Sequence, residues 1–262
     1  MQDQFDLTIH PARIVFGAGS INRTADIVRD LGCSRALVLS TPAQVDVAND
    51  LARSIGDLAV GVYSKAAMHT PVDVTEACLQ DFRGLDADCT IAIGGGSTTG
   101  LGKALAWRTD APQIVIPTTY AGSEVTPVLG ETTSGKKTTF SDPKILPEAV
   151  IYDPETTYGL PVGLSVTSAL NAVAHAAEGL YAQNRNPITT LMASEGVASV
   201  AQALPRVVDD PGNPDARAKL LYGAWLCGAV LGAVGMALHH KLCHTLGGTF
   251  NLPHAETHSV VL

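Results

Sequence analysis

The first half of the chain alternates between two kinds of segment, and that alternation restricts the fold more than any other feature. Short runs rich in Val and Ile recur: RALVLS (35–40), LAVGVYS (58–64), CTIAIGGG (89–96) and QIVIPTT (113–119). Short apolar runs of this kind read as strands. Helix-like segments separate them. SINRTADIVRDLG (20–32) opens on a Ser placed to cap and closes on Gly32. TPVDVTEACLQDF (70–82) offers Thr70 as N-cap and Pro71 at the first helical position. The pattern predicts a parallel sheet wrapped by helices.

The second half is patterned differently. From about Leu164 it reads as helix only: LSVTSALNAVAHAAEGLYAQ (164–183), PITTLMASEGVASVAQAL (187–204) and a long run from 215 to 248. Asn186-Pro187 and DDPGNP (209–214) punctuate these segments. A boundary near Pro161 follows, with an α/β domain over 1–160 and an α-helical domain over 161–262. Within the long run, Leu220–Leu238 carries no charge and has Gly228 and Gly232 at GxxxG spacing. Its many Gly and Ala residues make it only weakly apolar, which favours a buried helix packed through small side chains over a membrane span.

Composition excludes several functions. Net charge is −8 with no basic tract, so a nucleic-acid partner is not expected. Apolar residues make up 46 % and charged residues 16 %, which fits a well-buried globular chain. Five cysteines without a Cys-x-x-Cys pair argue against a disulfide framework or a thiolate zinc site, and a reduced cytosol is expected. The N-terminus lacks the basic and apolar regions of a signal peptide.

IAIGGGSTTGLGKALA (91–106) reads as strand, glycines, then helix start. Gly94, Gly95 and Gly96 would let backbone approach a ligand, and Ser97, Thr98 and Thr99 could cap the helix, whose first-turn N–H groups attract phosphate. The stretch is neither a Walker A sequence nor a spaced G-x-G-x-x-G, and a plain tight turn is the competing reading. IPTTYAGSEVT (116–126) adds Thr118, Thr119 and Ser123 just past a strand end, where ligands of open parallel sheets bind. A strand-end acid that would grip an adenosine ribose is missing after RALVLS, where Thr41 and Pro42 stand. NADPH is therefore expected alongside NADH.

Five of the eight histidines fall between 239 and 258. Asn171 and His175 are spaced i, i+4, with Glu178 one turn on, and His240 and His244 repeat that spacing. Gly247-Gly248 should end the helix, and His254 returns after Pro253. One helical His is usually a satisfied core residue; two such pairs and a returning third point to a site. His239, off the face of His240, is expected to face away and be structural.

GGGSTTGLGKA, IPTTYAGSE, DPKILPEAVIYDP, NAVAHAAE and HHKLCHTLGGTFNLPHAE, in this order over nearly the whole chain, resemble the iron-containing alcohol dehydrogenase family. IPTTYAGSE and PHAETH look most like its maleylacetate reductase branch. The resemblance implies a Rossmann-like dinucleotide-binding domain followed by an all-α domain, longer than the helical part seen here; the abrupt ending HSVVL agrees. It implies a cytoplasmic homodimer, acting on the small dicarboxylate maleylacetate with NADH or NADPH to give 3-oxoadipate in aromatic-compound breakdown. Gly94 to Thr98 would hold the pyrophosphate, Thr118 and Thr119 would lie along the cofactor, and Lys137 would stand near the nicotinamide ribose. Asn171, His175, His240 and His254 match the four metal-ligand positions, and His244 lines the active site.

One departure matters. The alcohol dehydrogenases have Asp where this chain has Asn171. An amide carbonyl replaces a full negative charge, so no tightly held metal is expected. Hydride addition to an enone produces a delocalised enolate, which histidine donors can stabilise and protonate without a metal. The alternatives are a metal-dependent alcohol dehydrogenase, a lyase like dehydroquinate synthase, or an inactive nucleotide binder.

Overall fold

The computed structural model describes Phe5, Leu7 and residues 13–262 apart from Ala237, Asn251 and Pro253; His244 and His254 are described by backbone only. Two compact units result. The α/β unit comprises Pro11–Thr118 and Pro127–Asp153, and the helical unit comprises Thr119–Thr126 and Pro154–Leu262.

The α/β unit is built on six parallel strands. They are β1 (Arg13–Phe16), β2 (Ala36–Leu39), β3 (Ala59–Tyr63), β4 (Cys89–Gly94), β5 (Gln113–Pro117) and β8 (Ala149–Tyr152), in the order β1-β8-β5-β4-β2-β3. Every residue of β2, β4, β5 and β8 is buried, which is why those runs are apolar without alternation. Val38, Ile91, Ile93, Ile114 and Ile151 pack with Ile27, Val28, Leu51 and Ile55 of the covering helices α1 (Thr24–Asp30) and α2 (Val45–Ile55). Each such side chain contributes about 1.5–3 kcal/mol by leaving water. The chain runs outward from β2 to β3 and then returns to β4 on the other side of β2. The strand order reverses there, and the C-terminal ends of β2 and β4 frame the crevice where such sheets bind ligands.

Several local features depart from the sequence reading. Strands β1 and β8, of four residues each, were not expected from the sequence. Ser20 does not cap a helix; it sits in a 3-10 turn, Ser20–Arg23, whose N–H groups at Gly19 and Ile21 donate to the Asp153 carboxylate at 3.2 and 2.9 Å. The cap comes from a residue far along the chain that follows β8, the strand paired with β1. Thr70 does not cap α3 (Val72–Gly84) either: Pro71 holds the N-cap position and Thr70 lies in the left-handed region at φ 47°. The Thr70 carbonyl instead accepts from Thr132 N of an antiparallel hairpin, β6 (Val128–Thr133) and β7 (Lys136–Ser141). Ser134 and Gly135, at φ 48° and 76°, form its turn.

The helical unit contains α5 (Val162–Tyr181), α6 (Pro187–Asp209), α7 (Pro214–Ala233), α8 (Leu238–Phe250) and α9 (His254–Val261). The run from 215 to 248 is two helices, α7 and α8, bent by 91°. Val234 is extended, at φ −130° and ψ 159°, and the Gly235 N–H donates to Asn184 Oδ1 at 2.9 Å instead of continuing the helix. Gly247 and Gly248 do not stop α8, which runs to Phe250. No single helix among the described residues is long and apolar enough to cross a membrane. The glycines of α7 serve a different purpose. A Cβ on Gly228 would lie 2.7 Å from both the Cα and the carbonyl oxygen of Gly122, and one on Gly232 would lie 2.6 Å from the Val125 oxygen. Segment 119–126 thus lies backbone-to-backbone on α7.

Gly228→Ala should therefore destabilise the helical unit by roughly 1–3 kcal/mol, since its new methyl meets backbone that cannot yield. Gly163→Ala, at an exposed helical position with open space around it, should be neutral or slightly stabilising. Urea unfolding of the two variants measures the contrast; equal midpoints would contradict the packing.

Candidate active site

The glycine loop of the α/β unit follows β4. Helix α4 (Gly96–Thr109) starts directly at Gly96, with Gly95 as N-cap and no side-chain cap bond. Ser97, Thr98 and Thr99 therefore lie inside the first turns of the helix instead of capping it, and Thr99 Oγ1 donates back to the Gly95 carbonyl at 3.2 Å. The three glycines have different reasons. A Cβ on Gly94 would strike Thr98 Oγ1 at 2.4 Å and Gln44 Oε1 at 3.0 Å, so packing inside the unit requires this glycine. A Cβ on Gly96 would meet nothing within 4 Å, which leaves the helix start open to a ligand. Thr98 is fully buried and its hydroxyl has no hydrogen-bond partner among the described residues.

Thr41 and Thr118 stand at the same crevice. Gln44 links them: its Nε2 donates to Thr118 Oγ1 at 2.8 Å, and the Thr41 hydroxyl donates to its Oε1 at 3.4 Å. Nothing in the sequence marks Gln44, a lone Gln in a turn, as part of the crevice. Thr119 and Ser123 belong to the segment that packs with the helical unit, and Ser123 opens a 3-10 turn, Ser123–Val125. Lys137 is exposed on β7 and its Cε lies against Gly130 of β6.

The helical unit gathers the histidines. Asn171, His175 and Glu178 occupy positions i, i+4 and i+7 of α5, and all three are buried. His240 comes from α8, its ring stacked on His175 at 5.0 Å between centroids. The Glu178 carboxylate hydrogen-bonds Nδ1 of His240 and accepts from its backbone N–H at 3.4 Å. Glu178 thereby orients the ring, with Nδ1 as the inferred protonated nitrogen and Nε2 as the acceptor. Burial pushes the His240 pKa down against the opposing pull of Glu178, so the imidazole is neutral near pH 7. The sequence reading placed Glu178 on this face without giving it a role; the partner 62 residues away supplies one.

His239 does not face away. Its ring lies 5.6 Å from that of His240 and 5.0 Å from that of His258, and its Nε2 is 3.1 Å from His258 Nδ1. His258, to which the sequence reading gave no role, is fully buried on α9 with its ring 4.7 Å from that of His240. His239 and His240 are adjacent on α8, and α9 places His258 beside both. The side chains of His244 and His254 lie outside the described residues. Asn171 Oδ1 is buried and has no hydrogen-bond partner among the described residues. As donors for a divalent metal, Asn171, His175 and His240 offer an amide carbonyl and two imidazoles without an anion. The nearby carboxylate, Glu178, is committed to His240. This set does not fit a tightly held iron or zinc ion.

Comparison with known proteins agrees with both units. The family described as "Iron-containing alcohol dehydrogenase" matches residues 11–154, and "Fe-containing alcohol dehydrogenase family, C-terminal" matches residues 165–262. A maleylacetate reductase of Rhizobium sp. is 64 % identical over 98 % of this chain and 74 % of its own. The crystal structure of maleylacetate reductase from Agrobacterium tumefaciens superposes with a TM-score of 0.96 at 63 % identity, covering 98 % of this chain and 73 % of that one. Sulfoacetaldehyde reductase from Bifidobacterium kashiwanohense, solved in complex with NAD+, gives a TM-score of 0.91 at 25 % identity over 97 % of this chain and 74 % of that one. A parallel-sheet unit with an open glycine loop, a helical unit with clustered histidines, and these matches along both show that the chain belongs to the iron-containing alcohol dehydrogenase family.

Proposed function

We propose that this oxidoreductase reduces the carbon–carbon double bond of maleylacetate, with NADH or NADPH as hydride donor, to give 3-oxoadipate. Relatives named maleylacetate reductase at 64 % and 58 % identity support the substrate, and the NAD+-bound neighbour supports the cofactor class. Within the site, the carrying observation is a buried Asn171 one turn from His175, whose ring stacks on His240: imidazole donors with an amide where an anionic metal ligand would stand. Carbonyl reduction makes a basic alkoxide that calls for a Lewis acid. Hydride addition to the alkene carbon β to the ketone makes an enolate, whose charge is spread and which hydrogen-bond donors can hold. A proton then reaches the α carbon, so that one hydride and one proton are added and NAD(P)+ leaves.

The chain's residues divide this work. The α4 N-terminus and Thr98 hold the dinucleotide phosphates, and Thr41 leaves room for a 2′-phosphate. His240, kept neutral by burial and fixed by Glu178, orients and accepts hydrogen bonds; it is a poor carrier of an extra proton near pH 7. His244 and His254 are the proposed proton donors and enolate partners.

The direct test follows NADH oxidation with maleylacetate and, in parallel, with simple aldehydes, before and after chelation. Turnover of maleylacetate alone, unchanged by EDTA, is expected; a chelator-sensitive aldehyde reduction would return the chain to the metal-dependent reading. Thr41→Asp should lower kcat/KM with NADPH on the order of tenfold more than with NADH, because a carboxylate repels the 2′-phosphate. Equal losses would place Thr41 away from the ribose. Glu178→Gln should lower kcat roughly 10–100-fold with little change in the dinucleotide KM, since it releases the His240 ring. An unaltered kcat would remove Glu178 from the mechanism.

A further inference from the structure

We propose that His239, Cys243 and His258 form a binding site for a soft divalent cation such as zinc, adjoining the Asn171, His175 and His240 set but sharing no residue with it. The site lies wholly within the helical unit. His239 and Cys243 are one turn apart on α8 and project from one face; His258 faces them from α9. Nε2 of His239 is 3.1 Å from Nδ1 of His258, and Cys243 Sγ is 3.7 Å from His239 Nε2. One ligand atom from each residue lies within 4.8 Å of both others. A tetrahedral zinc ion with Zn–N near 2.0–2.1 Å and Zn–S near 2.3 Å sets its ligands about 3.3 Å apart for N and N and about 3.6 Å apart for N and S. Two of the three edges, His239–His258 and His239–Cys243, lie within about 0.2 Å of those separations, and the third, Cys243–His258, is no longer than 4.8 Å.

The donor chemistry agrees with the geometry. A thiolate supplies the negative charge that Asn171 cannot, and a Cys with two imidazoles selects zinc over magnesium or calcium. Binding displaces the Cys243 thiol proton to solvent and breaks the His239–His258 hydrogen bond; the proton of that bond moves to the other nitrogen of its ring, so both imidazoles stay neutral and bond through a lone pair, and nothing is oxidised or reduced. Burial and the nearby Glu178 carboxylate hold the free thiol in its protonated form. The same carboxylate favours the cation once it is present. The sequence reading found no thiolate zinc motif because Cys243 is the one thiol in the set and its partner His258 lies on another helix. The inference does not depend on the proposed reduction.

The test uses the full chain, stripped with chelator and dialysed, then titrated with Co2+ as a zinc analogue and with Zn2+ itself. One equivalent of metal with a sulfur-to-cobalt charge-transfer band in the near ultraviolet is expected. Cys243→Ser should abolish the band and weaken binding at least about tenfold, whereas Asn171→Ala should change neither. Zinc should also slow alkylation of Cys243 in the wild-type protein, a readout that needs no variant to fold. Absence of bound metal, absence of the band, undiminished alkylation, or loss of binding in Asn171→Ala with retention in Cys243→Ser would each overturn the site.

Discussion

A buried guanidinium organises the helical unit. Arg217 of α7 is fully buried, and it donates to the Tyr120 hydroxyl at 3.0 Å, to Ser165 Oγ at 2.8 Å, and to the Leu160 and Pro211 carbonyls at 3.1 and 2.8 Å. Those acceptors come from four separate stretches: the segment after β5, the approach to α5, α5 itself and the loop before α7. A buried charge is tolerated only when its donors are satisfied. Satisfying this one fixes where the four stretches lie. The bare contact of Gly122 with Gly228 adds a second constraint, because α7 can lie against segment 119–126 only where neither backbone carries a Cβ.

That framework holds α5 with Asn171, His175 and Glu178 inward. Glu178 then determines the approach of α8, accepting from both the ring and the backbone N–H of His240. The order of dependence runs from Arg217 to α5, from α5 to Glu178, and from Glu178 to the histidine cluster. Within the cluster, charge is scarce. One carboxylate is already committed, Asn171 is neutral, and burial keeps His240 neutral. Such a site favours chemistry in which negative charge is spread over an enolate. It also means that a metal finds its anionic ligand at Cys243 instead of at the Asn171 position.

The α/β unit shows how far composition and pattern reach. Four of its six strands were legible: β2, β4 and β5 because strands covered on both faces must be apolar throughout, and the half-buried edge strand β3 because 58–64 is still rich in apolar residues. The open helix start after β4 was legible for a related reason: glycines between a buried strand and a helix leave a mark in the sequence. The caps were not. Asp153 serves the turn at Ser20 from more than a hundred residues away, and Thr70 gives its carbonyl to the hairpin instead of capping α3. Local sequence specifies local hydrogen-bond candidates, but the competition among them is resolved by whatever packs alongside.

The sequence by itself determined the two-part organisation, the parallel sheet, the glycine loop, the i, i+4 pairing of Asn171 with His175, and the replacement of a charged ligand by an amide. These follow from residue type and short-range spacing, which the chain carries wherever it folds. Tertiary structure decided the rest. It bent the run from 215 to 248 at Val234, because Asn184 offers the Gly235 N–H a partner outside the helix. It joined segment 119–126 to the helices, because Arg217 and Gly228 meet it there. And it turned His239 from a residue expected to face away into a neighbour of Cys243 and His258, because helical geometry fixes only the angle between side chains and not what α9 places beside them.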